Sequence, residues 1–172
     1  MSWPRRVILV AVVTALLLGA VAAWRARGAI DVPDNLAFST IDGRRIRIAD
    51  LHGRPLLVQF WATTCRTCVE EAGRVAALYE QLAPRGFELI AVAMQYDPPN
   101  RVVEFARARA LRYPIALDLR GEAAQAFGDV EVTPTMFLLA PDGRVVDTII
   151  GRPDFDDLRR RIESMLDQRG GA

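Results

Sequence analysis

Residues 60–71 read FWATTCRTCVEE and contain both cysteines of the 172-residue chain, Cys65 and Cys68. The run PLLVQFW at residues 55–61 precedes them, and such a nearly continuous apolar run is typical of a strand covered on both faces. Apolar residues then recur at helical spacing from Cys65 to Ala83, after which proline and glycine end the pattern. The cysteines are therefore predicted at the junction of a buried strand and a helix.

A Cys-x-x-Cys pair can be a redox dithiol, half of a zinc site or a haem attachment site. Zinc sites usually need four ligands, and the chain has no other cysteine and a single histidine, His52. A haem site needs histidine after the second cysteine, where this chain has Val69. A disulfide across so short a loop removes little entropy from the unfolded chain, so a purely structural bridge is a weaker alternative. The pattern favours a redox dithiol and no metal site.

The position at a helix N-terminus predicts different roles for the two sulfurs. Unpaired N–H groups and the helix dipole stabilise a thiolate there, which predicts a lowered pKa for Cys65 and makes it the nucleophile. Arg66 adds positive charge beside it. Cys68 lies one turn into the helix and is predicted to resolve the mixed disulfide.

Strands and helices alternate along the rest of the chain. The patterns predict a hairpin at residues 35–48, strands at 87–94, 113–117, 135–140 and 144–150, and helices at 97–110, 122–127 and 154–168. Asp97, followed by two prolines, is predicted to cap the helix that it begins. This order of elements predicts an α/β domain with a central mixed sheet flanked by helices.

The N-terminal segment from Val7 to Trp24 has no charged residue and is just long enough to span a bilayer as a helix. Arginines precede it, so residues 1–6 are predicted to be cytoplasmic. A cleaved signal peptide is the alternative, because small residues lie near the end of the apolar run. Residues 25–33 are predicted to be a linker and residues 34–172 a domain outside the cytoplasm, where disulfides persist.

The composition excludes some classes of function. The formal net charge is +1, which gives no electrostatic case for binding nucleic acid. All 22 basic residues are arginine, so chemistry through a lysine Schiff base is excluded.

Three stretches together resemble the thioredoxin fold, and specifically the membrane-anchored TlpA/ResA-type thiol–disulfide oxidoreductases of bacteria. They are IADLHGRPLLVQFWATTCRTCVEE at residues 48–71, FELIAVAMQYDPPNRVVEFARARALRYPIALD at 87–118, and FGDVEVTPTMFLLAPDGRVV at 127–146. The resemblance implies a thioredoxin-like domain, preceded in this chain by one transmembrane helix.

The resemblance also implies roles for individual residues. It implies a cis peptide bond between Thr133 and Pro134, which face the dithiol and hold the partner chain by backbone hydrogen bonds. Glu71 matches an acidic residue that tunes the dithiol and assists proton transfer, the alternative being a solvated helix carboxylate. Trp61 matches an aromatic residue that packs beneath the dithiol. Trp61 and Arg66 complete the predicted partner-binding set.

The implied activity is the reduction of disulfides in extracytoplasmic partner proteins, with electrons from a membrane thiol transporter and with no dissociable cofactor. Apocytochrome c and copper-site assembly proteins are the implied substrates, and the bacterial inner membrane the implied location. The alternatives are a disulfide oxidase or isomerase, a copper(I) metallochaperone, and a tethered binding module without catalysis. The chain departs from the family pattern at Thr64, where tryptophan is frequent, and at Gly73, where a helix-kinking proline is common.

Overall fold

The computed structural model describes Val13 and residues 30–169. The chain divides into two compact units, Met1–Ile30 and Asp31–Ala172, and every strand and helix bounded below belongs to the second. Across the part of the chain that is described, no helix is both long and apolar enough to cross a membrane.

The predicted cytoplasmic N-terminus at residues 1–6 and the predicted anchor at residues 7–24 lie outside the described residues, Val13 excepted. Most of the predicted linker at residues 25–33 lies outside them as well. The organisation proposed for these segments stays a prediction.

Seven strands form two sheets within the described residues. They are β1 (Ala37–Ser39), β2 (Arg45–Arg47), β3 (Leu56–Trp61), β4 (Glu88–Ala93), β5 (Ile115–Leu117), β6 (Thr135–Leu139) and β7 (Val145–Ile150). The first two form the predicted hairpin. The others form one sheet in the order β5-β4-β3-β6-β7, in which β3, β4 and β5 are parallel and β6 and β7 are antiparallel to their neighbours. The prediction of a central mixed sheet is confirmed.

Four α-helices accompany the sheet in this region. They are α1 (Arg66–Leu82), α2 (Pro99–Ala108), α3 (Glu122–Ala126) and α4 (Phe155–Arg169). Each begins and ends within about two residues of its predicted bounds, which is the usual disagreement between assignments of helix ends.

The two faces of the central sheet carry different apolar clusters. On one face, Leu57 and Leu138 pack with side chains of α1, α2 and α4. On the other face, the rings of Phe60 and Phe137 lie 5.4 Å and 4.9 Å from that of Phe127, which follows α3. Full burial of such side chains stabilises the fold by about 1.5–3 kcal/mol each. The sheet is therefore firmly packed on both faces. It holds in place the segments that precede and follow its strands, where the functional residues lie.

One local prediction is wrong. Asp97 does not cap α2: the N-cap residue is Pro98, and no side chain caps this helix. The carboxylate of Asp97 is instead buried and accepts two hydrogen bonds from Thr63, which lies after the neighbouring strand β3. A tertiary partner has replaced the local one that the sequence pattern favoured.

Candidate active site

The two cysteines lie where β3 leads into α1. Cys65 has extended backbone geometry and is the N-cap of the helix, and its Sγ accepts a hydrogen bond from the Cys68 N–H at 3.2 Å. The sulfurs are joined in a disulfide, with the Cα atoms 5.3 Å apart. Cys65 is partly exposed, whereas Cys68 is only 2% exposed and belongs to the core. Only Cys65 is accessible to a second protein.

The helix N-terminus provides the main electrostatic feature beside Cys65. Backbone N–H groups of the first turn and the helix dipole favour negative charge at this position, so a Cys65 thiolate formed on reduction is stabilised there. Arg66 contributes less than its position in the sequence suggests, because its guanidinium forms an ion pair with Glu70 at 2.8 Å. The Arg66 side chain is 92% exposed, and solvent screens its charge further.

Glu71 lies on the buried side of α1, and the alternative of a solvated carboxylate is wrong. Its side chain is 1% exposed, and neither carboxylate oxygen has a hydrogen-bond partner among the described residues. Burial raises the pKa of this carboxyl, while the charges of Arg152 and Arg74 act in the opposite direction. Such a group can exchange a proton at a pH where an exposed carboxylate cannot.

The proline loop lies at the same edge of the sheet as the dithiol. The Thr133–Pro134 peptide bond is cis, as the resemblance implied. Thr135, the first residue of β6, lies opposite Phe60 near the end of β3, so the preceding loop lies beside the segment that leads to Cys65. Thr133 is partly exposed and Pro134 is buried.

Trp61 is the last residue of β3 and is buried in the same apolar cluster as Cys68. Its ring lies 5.3 Å from that of Phe105 in α2. Its packing position directly beneath the dithiol stays a prediction. The side chain leaves almost no surface for contact with a partner.

Asp97 and Thr63 also belong to the site, although neither is among the site residues predicted from the sequence. We call the hydrogen bonds between these two residues the tether. The Asp97 carboxylate accepts hydrogen bonds from the Thr63 N–H at 2.6 Å and from its hydroxyl at 2.5 Å. Both residues follow parallel strands, whose carboxyl ends meet at one edge of the sheet. That shared edge is the signal that could have identified the pair. The tether fixes the backbone two residues before Cys65.

Exposed apolar side chains surround this edge of the sheet. Among the residues from 30 to 169, five large hydrophobic side chains are exposed, and four of them lie in segments at this edge. We call these four the apolar rim: Tyr96, Leu119, Val132 and Ile150, which are 55% to 68% exposed. Scattered exposed apolar residues need no explanation, but their concentration beside a reactive group is typical of a binding surface.

Comparisons with known proteins agree with this geometry. The profile of the Redoxin family matches residues 29–162. Thiol-disulfide oxidoreductase ResA of Geobacillus thermodenitrificans is 32% identical over 133 residues, which cover 77% of this chain and 75% of the relative. The protein of the same name from Bacillus anthracis is 31% identical over 131 residues, covering 76% and 75%.

Two solved structures show the same fold. StoA from Bacillus subtilis superposes with a TM-score of 0.65 at 27% identity, over 76% of this chain and 98% of that one. A thiol:disulfide interchange protein of the thioredoxin family from Chlorobium tepidum superposes with a TM-score of 0.70 at 26% identity, over 76% and 92%. The predicted thioredoxin-like fold is thereby confirmed for the described domain.

Proposed function

The chain belongs to the Redoxin family and is a thiol-disulfide oxidoreductase of the ResA type, and on that premise we propose that it reduces disulfide bonds in partner proteins outside the cytoplasm. One observation carries the exchange chemistry in this proposal. A disulfide caps a helix with its first sulfur accessible and its second buried, beside a loop with a cis proline. That asymmetry supports attack by Cys65 and resolution by Cys68.

The reaction transfers two electrons from the reduced dithiol to the partner. The Cys65 thiolate attacks one sulfur of the partner disulfide, forms a mixed disulfide and releases the first partner thiolate. Cys68 loses its proton and attacks the Cys65 sulfur, which releases the second partner thiolate and restores the Cys65–Cys68 disulfide. Both partner thiolates take up protons. A donor dithiol must then reduce the enzyme disulfide before another cycle.

Glu71 is proposed to accept the Cys68 proton, since it lies one helical turn further along α1 on the buried side. A general base works best when its pKa lies near the working pH, and burial moves this carboxyl in that direction. Trp61 is proposed to support the dithiol from the core.

The apolar rim supports a protein as the substrate. A polypeptide that offers a disulfide to Cys65 also meets these apolar side chains and the backbone of Thr133 and Pro134, which is proposed to hold an extended segment. Arg66, exposed beside Cys65, is proposed to contact the partner protein at the periphery of such a complex. Unfolded or partly folded substrates expose apolar residues near their cysteines and would fit this surface.

The setting of the reaction extends the proposal. Residues 7–24 are proposed to anchor the domain in the bacterial inner membrane with the dithiol on the periplasmic side. A membrane thiol transporter is proposed as the electron donor, and apocytochrome c or copper-site assembly proteins as the substrates.

Reduction of insulin disulfides by the full-length chain, with dithiothreitol as donor, tests the activity. Cys65→Ser is expected to abolish turnover, and Cys68→Ser to stop it after one step and accumulate mixed disulfides. Full multiple-turnover activity in Cys68→Ser would contradict the resolving step.

The reduction potential of the Cys65–Cys68 pair tests the direction of the reaction. A value near that of thioredoxin, about −270 mV, is expected for a reductase. A value near that of DsbA, about −120 mV, would identify a disulfide donor and reverse the proposed direction.

A further inference from the structure

Arg152, in the connection between β7 and α4, reaches across to two consecutive acidic residues of α1. Its Nη2 donates a hydrogen bond to Glu70 Oε2 at 3.0 Å, and its Nη1 lies 3.6 Å from Glu71 Oε1. Glu70 is exposed and also pairs with Arg66, whereas Glu71 is buried. One guanidinium therefore links a surface ion pair to a buried carboxylate.

The buried carboxylate needs such a partner. An ionised group removed from water is strongly destabilised unless a charge or hydrogen bond compensates it, and neither Glu71 oxygen has a hydrogen bond among the described residues. The charged groups that face Glu71 are Arg152 from the β7–α4 connection, and Arg74 and Glu70 from its own helix. The guanidinium of Arg74 lies over the ring of Phe155, 4.2 Å from its centroid, which leaves Arg152 as the larger favourable charge.

We propose that Arg152 is a positioning residue that keeps Glu71 ionised and able to accept a proton, and thereby sets the rate at which Cys68 resolves the mixed disulfide. This inference rests on the proposed function, because it assigns Glu71 as the base in that reaction. It assigns Arg152 no contact with the reacting sulfurs.

The opposing influences on Glu71 explain why one arginine can matter. Burial favours the neutral acid, which cannot accept a proton, and the Arg152 charge favours the carboxylate. With the arginine present, Glu71 takes the proton of the Cys68 thiol and becomes the neutral acid. The Cys68 thiolate then attacks Cys65, and Glu71 releases its proton to the departing partner thiolate or to water. Without the arginine, a larger fraction of Glu71 is protonated and unable to accept the Cys68 proton.

The backbone ties Arg152 to the loop that is proposed to hold the partner. The N–H of Gly151, directly before Arg152, donates a hydrogen bond to the carbonyl of Pro134 at 2.7 Å. Ile150 of the apolar rim comes one residue earlier. A bound partner would cover this segment, exclude water from the Arg152–Glu71 pair and strengthen their attraction.

Ellman's reagent separates the two chemical steps in a stopped-flow experiment on the reduced full-length protein. The first thionitrobenzoate is released when Cys65 attacks the reagent, and the second when Cys68 resolves the mixed disulfide. The variants are Arg152→Gln and Arg152→Lys, each alone and combined with Glu71→Gln. Arg85→Gln is the matched control, because Arg85 also bridges two acids, Glu163 and Asp167, but lies at the opposite end of α1.

Arg152→Gln is expected to leave the first phase unchanged and to slow the second about tenfold at pH 7, since loss of an opposite charge at this range favours the neutral form of Glu71. The pH profile of the second phase should shift upward. Arg152→Lys should recover most of the rate, and Arg85→Gln should match the wild type. In the Glu71→Gln background, Arg152→Gln should cause no further slowing. An unchanged second phase, or equal slowing in both backgrounds, overturns the inference. Loss of the first phase in the wild type would instead contradict the proposed function.

Discussion

The hydrogen bonds between Asp97 and Thr63 predict that a residue outside the cysteine motif controls both stability and activity. The change is Asp97→Ala. It removes a carboxylate that accepts hydrogen bonds from the Thr63 N–H at 2.6 Å and from the Thr63 hydroxyl at 2.5 Å. Because Asp97 is buried, water does not readily replace the lost acceptor. A hydrogen-bond donor of Thr63 is then left without a partner.

The magnitude follows from the number and kind of bonds. A hydrogen bond to a charged group contributes about 1.5–3 kcal/mol, so the two bonds contribute about 3–6 kcal/mol together. Removing a buried carboxylate also relieves its desolvation, which offsets part of the loss. We expect the free energy of unfolding to fall by about 2–4 kcal/mol, measured by urea denaturation of the oxidised protein.

The same change should slow insulin reduction by about tenfold or more, because Thr63 lies two residues before Cys65 and small displacements of reacting groups have large effects on rate. Asp118→Ala is the matched control. Asp118 is also buried and accepts two hydrogen bonds, from the N–H groups of Ala123 and Ala124 at 3.0 Å and 2.8 Å, in a segment without cysteines. It should lose similar stability and retain the rate.

Two outcomes would refute this reasoning. If Asp97→Ala lowered the free energy of unfolding by less than about 1 kcal/mol, the two hydrogen bonds would contribute no more than hydrogen bonds between uncharged groups. Equal slowing of insulin reduction in Asp97→Ala and Asp118→Ala would mean that general destabilisation, and not the position of Thr63, controls the rate.

The remaining predictions concern α1. Gly73→Ala should raise the free energy of unfolding by about 0.5–1 kcal/mol in urea denaturation, because glycine is unfavourable inside a helix and an added Cβ meets nothing within 4 Å. A decrease would show an unrecognised need for glycine there. Glu71→Gln should stabilise the protein at neutral pH but not below the ordinary pKa of the carboxyl. As pH rises from that value to the raised pKa of folded Glu71, the unfolded chain ionises first and wild-type stability falls, by about 1.4 kcal/mol per unit of pKa difference. A gain in the free energy of unfolding of Glu71→Gln that did not depend on pH would contradict this reasoning.

The strands of the sheet could be predicted because a strand buried on both faces has a nearly continuous run of apolar residues in its sequence. The run PLLVQFW became β3, buried throughout, and the position of Cys65 at the start of α1 followed from the change to helical spacing. These features depend on residues close together in the chain. The cis bond before Pro134 was available only through the resemblance, because a Thr-Pro pair by itself favours trans.

The contacts that could not be predicted join distant segments. The pattern around Asp97 suits a helix cap, and only the side-by-side pairing of β3 and β4 shows that Thr63 lies within reach of its carboxylate. Nothing near Arg152 in the sequence indicates that it reaches Glu71, because that approach depends on the order of strands in the sheet. The ion pair of Arg66 with Glu70 is different, because its i,i+4 spacing within one helix could have indicated it, and the prediction of positive charge from Arg66 did not take it into account.

The antiparallel pairing of β3 with β6 has a consequence for synthesis of the protein. Val58, in the strand that leads to the dithiol, lies opposite Phe137, far along the chain, and such distant pairings form slowly because long loops must close first. A nascent chain that has not reached Leu139 cannot complete the sheet. Until then Cys68, which the finished core covers, is exposed and can form disulfides with other molecules, so the unfinished protein is itself subject to thiol–disulfide exchange.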